Sequence, residues 1–546
     1  MEALELNRLS RREMLAGLVG APIAAWACRR PAPRREFDGS LLGQDVGLGH
    51  RLRDGFHPPP TVRKRVGVAV VGGGVSGLSA GWKLARAGFT DFVVLELEGR
   101  PGGTSASGAN GVSAYPWGAH YVPVPLPENR ALAEVLGEIG AFEATDAAGG
   151  VTVREELLCA APQERLFLDG RWYEGLYPRA GATAEDLRQL RAFEAEIDRW
   201  IGFRDPAGRR GFTIPSAAGG SAPELDDLDR LSVADWLRQK GWSSPRLRWY
   251  LDYACRDDYG LEMAQTSAWA GVFYFASRTE GPGGRSAEFV TWPEGNGRLV
   301  RHLAGACGDR LRLGAAVTDV LPGPDGIEVR SFEPATGLAT AWLADDVIFA
   351  LPKFLAGRLV APWRERPPAW LADFGYGSWM VANLTLRDRP RERSFPLAWD
   401  NVLYDGPSLG YVDATHQTGR DRGPTVWTYY LPLTKGTPAE NRRLLLGAAW
   451  EHWVDAILAD LSRAHPDLEG LVERVDVWRW GHAMIRPTVG FTRGEALRRA
   501  REPLGRIRFA NTDLSGLALF EEAQHWGVAA AEDVLRGRGL AFKSSL

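Results

Sequence analysis

Gly72, Gly74 and Gly77 spell GxGxxG directly behind the valine-rich run Val66–Val71, and Val75, Leu78, Trp82 and Ala85 then recur at helical spacing up to Gly88. Each glycine has a separate task. The first permits a tight turn, the second lets backbone N–H groups approach a pyrophosphate, and the third lets the helix lie close on the strand. Ser76, inside the motif, joins them as a candidate phosphate ligand. The helix N-terminus then faces the phosphates. A second apolar run, FVVLE, ends in Glu96, whose carboxylate can accept both hydroxyls of an adenosine ribose and repels a 2'-phosphate. Strand, motif, helix, strand and acid in register predict a dinucleotide site for FAD or NAD rather than NADP.

The rest of the chain must position that site. With 546 residues it exceeds one core, and two or three lobes are expected. Its 65 basic and 68 acidic residues leave a formal charge of -3, which gives no electrostatic footprint for nucleic acid or an anionic membrane and makes a small molecule the default partner. Cys28, Cys159, Cys255 and Cys307 form no CxxC pair, so neither a disulfide framework nor a metal site is expected. The 21 tryptophans are expected in cores or around an apolar ligand cavity.

Beyond Glu96 the chain reads ELEGRPGGTSASG, and Arg100, Gly102 and Gly103 match the RxGG element that follows the ribose-binding acid in the flavin-containing amine oxidase and phytoene desaturase superfamily. The resemblance resumes at PWGAHYV (116–122), WPEGNGRLVRHLA (292–304), AAVTDVLPGPDGIEV (315–329), DDVIFALP (345–352) and FANTDLSGLALFEEAQHWGVAAAEDVL (509–535). Those pieces follow the family's order over nearly all of residues 66–546 and imply FAD. An α/β architecture follows, with a Rossmann-like FAD-binding domain interleaved with a mixed-sheet and helical substrate domain. The FAD parts are placed at 62–125, 288–350 and 500–546, and the substrate parts at 126–287 and 351–499. Within the first substrate part, Leu187, Leu190, Phe193, Ile197, Trp200 and Ile201 trace a helical stripe behind a Thr183 cap, whereas 219–227 reads as a loop. VWTYYLPL (426–433) reads as a strand of the substrate sheet.

By the same resemblance, Gly118, Ala119 and His120 and, on the last helix, Ala523 and Gln524 lie against the isoalloxazine ring, with the helix N-terminus toward flavin N1 and O2. Asp513 stands where the family has a glutamate near the phosphates and ribityl chain, and Val317 on the strand beside adenine. Trp480 and His482, in RWGHAMIRPTVGF, are candidates for the substrate pocket. CRDDYG (255–260) sets Arg256 beside Asp257 and Asp258, either a subsite for a cationic substrate or an internal ion-pair cluster. Two positions depart from the amine oxidases: Val381 takes the place of a lysine near flavin N5, and Leu519 that of a tyrosine packing the amine over the ring.

At the N-terminus, Arg11 and Arg12 precede MLAGLVGAPIAAWA, which resembles a twin-arginine export signal over 1–28. The Ala25-Trp26-Ala27 cleavage pattern runs into Cys28, a candidate lipid anchor. A periplasmic enzyme exported with its cofactor bound is expected, with 29–61 as linker. The leading expectation is an FAD-dependent oxidoreductase that takes hydride from a substrate C–H, the substrate being an amine. An FAD-dependent desaturase or isomerase of an apolar substrate and a non-catalytic flavin-bearing binding protein stand as alternatives.

Overall fold

The computed structural model describes residues 37–146, 150–279, 281, 283, 288–391 and 394–546; Arg11, Arg12, Cys28 and the rest of the expected signal lie outside the described residues. A strand, β1 (Asp38–Gly43), and a helix over Val46–Arg53, capped by Asp45 accepting from the Leu48 N–H at 2.8 Å, occupy part of the stretch read as linker. That expectation is corrected from Asp38 onward. A Cβ on Gly39 would meet Val475 O at 1.8 Å, so the glycine lets this segment close on a strand edge.

β2 (Val62–Val71) leads into α1 (Val75–Arg86) and then β3 (Phe92–Leu95), which runs parallel to β2 from Val68 opposite Phe92 to Val71 opposite Leu95. Val68 to Val71 are fully buried, as strands covered on both faces require. After the short β4 (Tyr121–Pro123) the chain leaves this layer. It forms the hairpin β5 (Glu164–Leu168) and β6 (Arg171–Glu174), and then helices α2 (Ala184–Gly202), α3 (Pro245–Tyr259) and α4 (Ala268–Ala276). Thr183 and Asp186 complete a capping box on α2, and Leu190, Phe193, Ile197, Trp200 and Ile201 of the expected stripe pack inward, while Leu187 is half-buried outside that cluster. Residues 223–227 of the expected loop belong instead to a short helix, Pro223–Asp229, with Pro223 at its first position and Glu224 and Asp226 in its first turn.

The chain returns through β7 (Phe289–Thr291), which pairs with β4, and α5 (Gly297–Cys307) to β8 (Leu311–Arg312), β9 (Ala316–Gly323), β10 (Gly326–Glu333) and β11 (Leu338–Phe349). It departs again through α6 (Lys353–Leu359), β12 (Tyr376–Leu386), β13 (Asp400–Leu403), β14 (Tyr411–Asp413), β15 (Thr425–Leu433) and β16 (Val472–Ile485). It ends with β17 (Ile507–Phe509) and α7 (Phe520–Gly537). Two large sheets result. One runs β8-β3-β2-β11-β10-β9 with β17 also on β11, and the other runs β1-β16-β12-β15-β14-β13-β5-β6. In the first sheet, Val68, Val70 and Val94 pack with Leu78, Trp82, Leu303 and Val528 of α1, α5 and α7 on one side. Ala69, Val71, Val93 and Phe349 pack with Val317 and Phe509 on the other.

Candidate functional site

The GxGxxG turn is built by contact, not by flexibility. Gly72 holds φ +104°, and a Cβ on Gly77 would lie 1.8 Å from Gly72 O, so only glycine lets α1 start this close to β2. A Cβ on Gly74 would meet nothing within 4 Å, leaving open space above the helix N-terminus. Among the described residues that terminus has no side-chain cap, and the buried hydroxyl of Ser76 has no hydrogen-bond partner. Gly102, at φ +113°, donates its N–H to Gly73 O at 2.8 Å, so the second glycine pair is laid beside the first. Gly103, at φ +55°, and the exposed Arg100, 5.2 Å over the Trp478 ring, continue this rim. Glu96 accepts from the Gly73 N–H at 2.6 Å and the Glu98 N–H at 2.8 Å, one on each oxygen. Each oxygen keeps a lone pair for a ribose hydroxyl. Burial lifts the Glu96 carboxyl to about 7 against those two N–H donors. An uncapped helix N-terminus, an orphaned buried hydroxyl and open space over Gly74 fit a dinucleotide pyrophosphate.

The segment Pro116–His120 has every carbonyl held. Asn383 Nδ2 donates to Pro116 O at 3.0 Å, Trp480 Nε1 to Trp117 O at 2.6 Å, Tyr430 OH to Gly118 O at 2.8 Å, the Asn296 N–H to Ala119 O at 3.1 Å, and Thr291 Oγ1 to His120 O at 2.7 Å. Three of the five donors come from β12, β15 and β16, so the second sheet fixes the backbone that the resemblance lays against the flavin. A Cβ on Gly118 would meet Thr104 O at 2.3 Å, which keeps this turn tight on the RxGG element. The His120 ring sits about 5 Å from those of Trp399, Tyr430 and Tyr121, and burial lowers its pKa to about 4, so it is neutral at pH 7.

The other positions implied by the resemblance are distributed as follows. Ala523 lies in the first turn of α7, whose N-terminus also lacks a side-chain cap. Gln524 turns away to donate to Ala131 O at 3.0 Å, its own oxygen left without a partner. Asp513 is buried, and a single oxygen accepts from Tyr376 OH at 2.5 Å and the Lys353 N–H at 2.6 Å, with burial raising the carboxyl to about 6. Val317 is core, opposite Ser331 in the β9–β10 hairpin. The two pocket candidates are not brought together. Trp480 is 3% exposed, packed with Trp117 and Trp478, and spends its N–H on Trp117 O. His482 lies in a two-residue irregularity of β16 opposite Gly377–Trp379, exposed and stacked on Phe354 at 4.3 Å. Val381 is 1% exposed among Trp379, Tyr430, Trp478 and Trp480, and Leu519 caps α7 beside the helical core.

Next to His120 the structure assembles a set of groups that sequence spacing leaves scattered. Asp257 and Asp258 end α3, Tyr274 and Arg278 lie at the end of α4, Glu164 starts β5, Asp400 starts β13, Tyr121 starts β4, and Glu521 opens α7. Arg278, 6% exposed, donates to Asp258 at 2.7 Å and to Tyr274 O at 2.8 Å. Tyr274 OH donates to Asp257 at 3.3 Å and Tyr253 OH to Asp400 at 3.4 Å. Burial raises Asp257, Glu164 and Glu521 each to about 7 and Asp400 well above the carboxylate range, the last reinforced by Asp257 and Glu164. Glu164, Asp257, Asp400, Tyr121 and Tyr274 nevertheless keep part of their surface open, as groups lining an interior space do. Of these, only the two aspartates of CRDDYG carried a signal in the sequence, and the ion-pair reading of that motif holds for Asp258 but through Arg278, not Arg256. Glu164 and Asp400 meet only through the parallel pairing of β5 with β13.

Residues 75–535 match the family model described as flavin containing amine oxidoreductase. Among solved structures, putrescine oxidase bound to putrescine aligns with a TM-score of 0.61 at 20% identity over 87% of this chain and 100% of that one. Cyclohexylamine oxidase from Brevibacterium oxydans IH-35A gives 0.61 at 18% identity over 87% and 99%, and the CLA-producing fatty acid isomerase from P. acnes 0.59 at 16% over 86% and 98%. No curated protein sequence matches the chain.

Proposed function

The chain belongs to the flavin-containing amine oxidoreductases, and from that premise we propose that this FAD-dependent oxidoreductase oxidises an amine at the carbon beside nitrogen. The observation that carries the reading is the interior beside His120. Among the described residues, Glu164, Asp257 and Asp400 stand there without a counter-cation of their own, since Arg278 is matched by Asp258. Three desolvated carboxylates around one space repel anions and gain from a cation. Tyr121, Tyr253, Tyr274, Tyr430 and Trp399 supply apolar walls with polar edges, suited to an ammonium-bearing carbon skeleton.

FAD supplies the hydride acceptor. The chain's part is to hold and orient: Gly72, Gly74, Ser76 and Gly77 for the pyrophosphate, Glu96 for the ribose, and the five anchored carbonyls of Pro116–His120 for the ring's surroundings. Val381 puts an apolar side chain where many amine oxidases hold a lysine, so protonation control of the substrate falls to the carboxylates. The same valine, with Leu519, supports a second reading, desaturation or isomerisation of an apolar substrate. Anaerobic titration of the purified holoprotein decides between them. Primary amines should bleach the flavin absorbance, and bleaching by unsaturated fatty acids but by no amine would reverse the assignment. Export on Arg11 and Arg12 is part of this proposal and rests on the sequence. Replacing both by lysine should leave the FAD-bound protein in the cytoplasm, and unchanged export would end that reading, as would absence of labelled lipid on Cys28 for the anchor.

A further inference from the structure

Asp257 stands out among the interior acids. From its own helix it faces Asp258 and Tyr253, from α4 Tyr274 and Arg278, from β5 Glu164, from β13 Asp400, from β4 Tyr121, from β15 Tyr430, and from α7, through Tyr121 and Arg278, Glu521. Asp258 is committed to Arg278, and Asp400 takes the Tyr253 hydroxyl. Asp257 accepts only the long 3.3 Å contact from Tyr274. Independently, the Nε–H of Arg278 is buried without an acceptor among the described residues, although the other two guanidinium nitrogens are used. An orphaned donor on the arginine beside an acid that is nearly free describes a space finished by a ligand, not a closed ion-pair cluster.

We propose, resting on the amine reading above, that Asp257 is the base that takes the proton from the substrate's ammonium group. The balance is R2CH–NH3+ plus Asp257 carboxylate to R2CH–NH2 plus Asp257 carboxylic acid. The freed nitrogen lone pair can then form C=NH2+ as the α hydrogen leaves with the C–H electron pair, the hydride that FAD would accept when bound, so that substrate loses two electrons. Proton transfer inside a desolvated space removes two charges at once, which water would not favour but this interior does. Near-neutral proton affinity suits a group that must be ionised to receive the proton and neutral afterwards.

tert-Butylamine, which binds as an ammonium but has no α hydrogen, isolates the transfer from oxidation. Mixed with the holoprotein at pH 8, it should raise a carboxylic-acid C=O band in the infrared difference spectrum. Tetramethylammonium, which has no proton to give, should not raise it, and Asp257→Asn should abolish it. In anaerobic stopped-flow at pH 7, Asp257→Asn should slow flavin reduction by an alkyl amine about 100-fold, the deficit shrinking as pH approaches the amine's own pKa. Asp257→Glu should restore the wild-type profile in part. A band that persists in Asp257→Asn, or an unchanged pH profile in that variant while amines still reduce the wild type, overturns the base assignment alone. No reduction of wild-type flavin by any amine, with no tert-butylamine binding, instead overturns the amine reading. Should Asp257→Asn fold poorly, the wild-type band and the Asp257→Glu profile decide, and absence of the band overturns the proposal.

Discussion

The nucleotide cradle and the carboxylate interior are both made of buried polar groups, yet they are built on opposite principles. The cradle is local: Gly72 to Gly77 and Glu96 span 25 residues, and its geometry follows from one βαβ unit. The interior draws on β4, β5, β13, α3, α4 and α7, which are brought together by tertiary packing and by the pairing of β5 with β13. In the cradle the charge is supplied by helix dipole and backbone N–H groups, and side chains mainly stay out of the way. In the interior the side chains are everything, and most of them are acids held above their ordinary pKa. A cofactor site can therefore be fixed by a motif, whereas a substrate site can be rebuilt residue by residue on the same frame.

The largest effect should come from the cradle. Gly77→Ala places a methyl group 1.8 Å from Gly72 O, a clash between two backbones that no rotamer relieves, while Gly74→Ala meets nothing. We expect Gly77→Ala to be purified without flavin or not at all. Gly74→Ala should fold but bind FAD less tightly, because its methyl occupies the space left for the ligand. Flavin absorbance per protein and thermal unfolding measure both, and equal behaviour of the two variants would break the idea that contact defines this turn.

The interior offers the next largest change. Asp258→Ala leaves Arg278 buried beside no committed partner, and breaking such a pair costs about 3–5 kcal/mol. The double change Asp258→Ala/Arg278→Met should recover much of that loss in urea unfolding. The exposed pair Glu185–Arg188 on α2, at 2.5 Å, gives the control, since such pairs contribute about 0–1 kcal/mol. A double variant as unstable as the single one would mean that Arg278 has some other anchor.

These contrasts explain what could be read from the chain alone. Val66–Val71, the glycines and Glu96 were legible because each constraint acts within one unit, and the Thr183 cap and the 426–433 strand for the same reason. The helix at 223–229 was missed because PELDD follows a glycine pair, and the residues around it favour a turn until Leu225 and Leu228 find a core to enter. Glu164, Asp400, Tyr121 and Arg278 were invisible: an isolated acid next to a strand has no spacing to betray it. Trp480 was noticed as a possible wall of the pocket, but its indole N–H is engaged by Trp117 O, a contact across 363 residues.

Acidity separates the buried histidines from the buried carboxylates. Buried His120, His465 and His525 are lowered to about 4, 3 and 4, so the unfolded chain binds more protons below pH 6.5 and these groups add stability as pH rises to that point. Glu164, Asp257 and Glu521 have the opposite sign: held at about 7, they bind more protons when folded, and stability falls as pH rises from the ordinary carboxylate range through 7. Above pH 6.5 the histidine contribution fades within about one unit, while the carboxylates still act, with Glu96 in the cradle adding to them. The melting temperature of the holoprotein should decline from pH 6.5 to 8, tert-butylammonium should offset that decline more at pH 8 than at pH 6, and Asp257→Asn should flatten it. A melting temperature that rises over this range would remove the charge argument for a cationic substrate.

The smallest effect returns to the cradle and tests whether its orphaned hydroxyl is there for a ligand. Ser76 and Ser79 lie in α1 within one turn of each other, and both hydroxyls are buried without partners. A buried unsatisfied hydroxyl costs about 1–3 kcal/mol, so Ser79→Ala should stabilise the protein or leave it unchanged, with FAD affinity unaltered. Ser76 sits at the helix's second residue, beside the open space over Gly74, and its peptide oxygen abuts Gly527 of α7, where a Cβ would come within 2.1 Å. Ser76→Ala should likewise spare the FAD-free protein, but a hydrogen bond to a charged phosphate contributes about 1.5–3 kcal/mol, so the dissociation constant for FAD should rise about 10- to 100-fold. Fluorescence quenching of free FAD by deflavinated protein measures this directly. If both alanine variants bind FAD as the wild type does, the unpartnered Ser76 hydroxyl is a packing defect like that of Ser79, and the phosphates are held by backbone N–H groups alone.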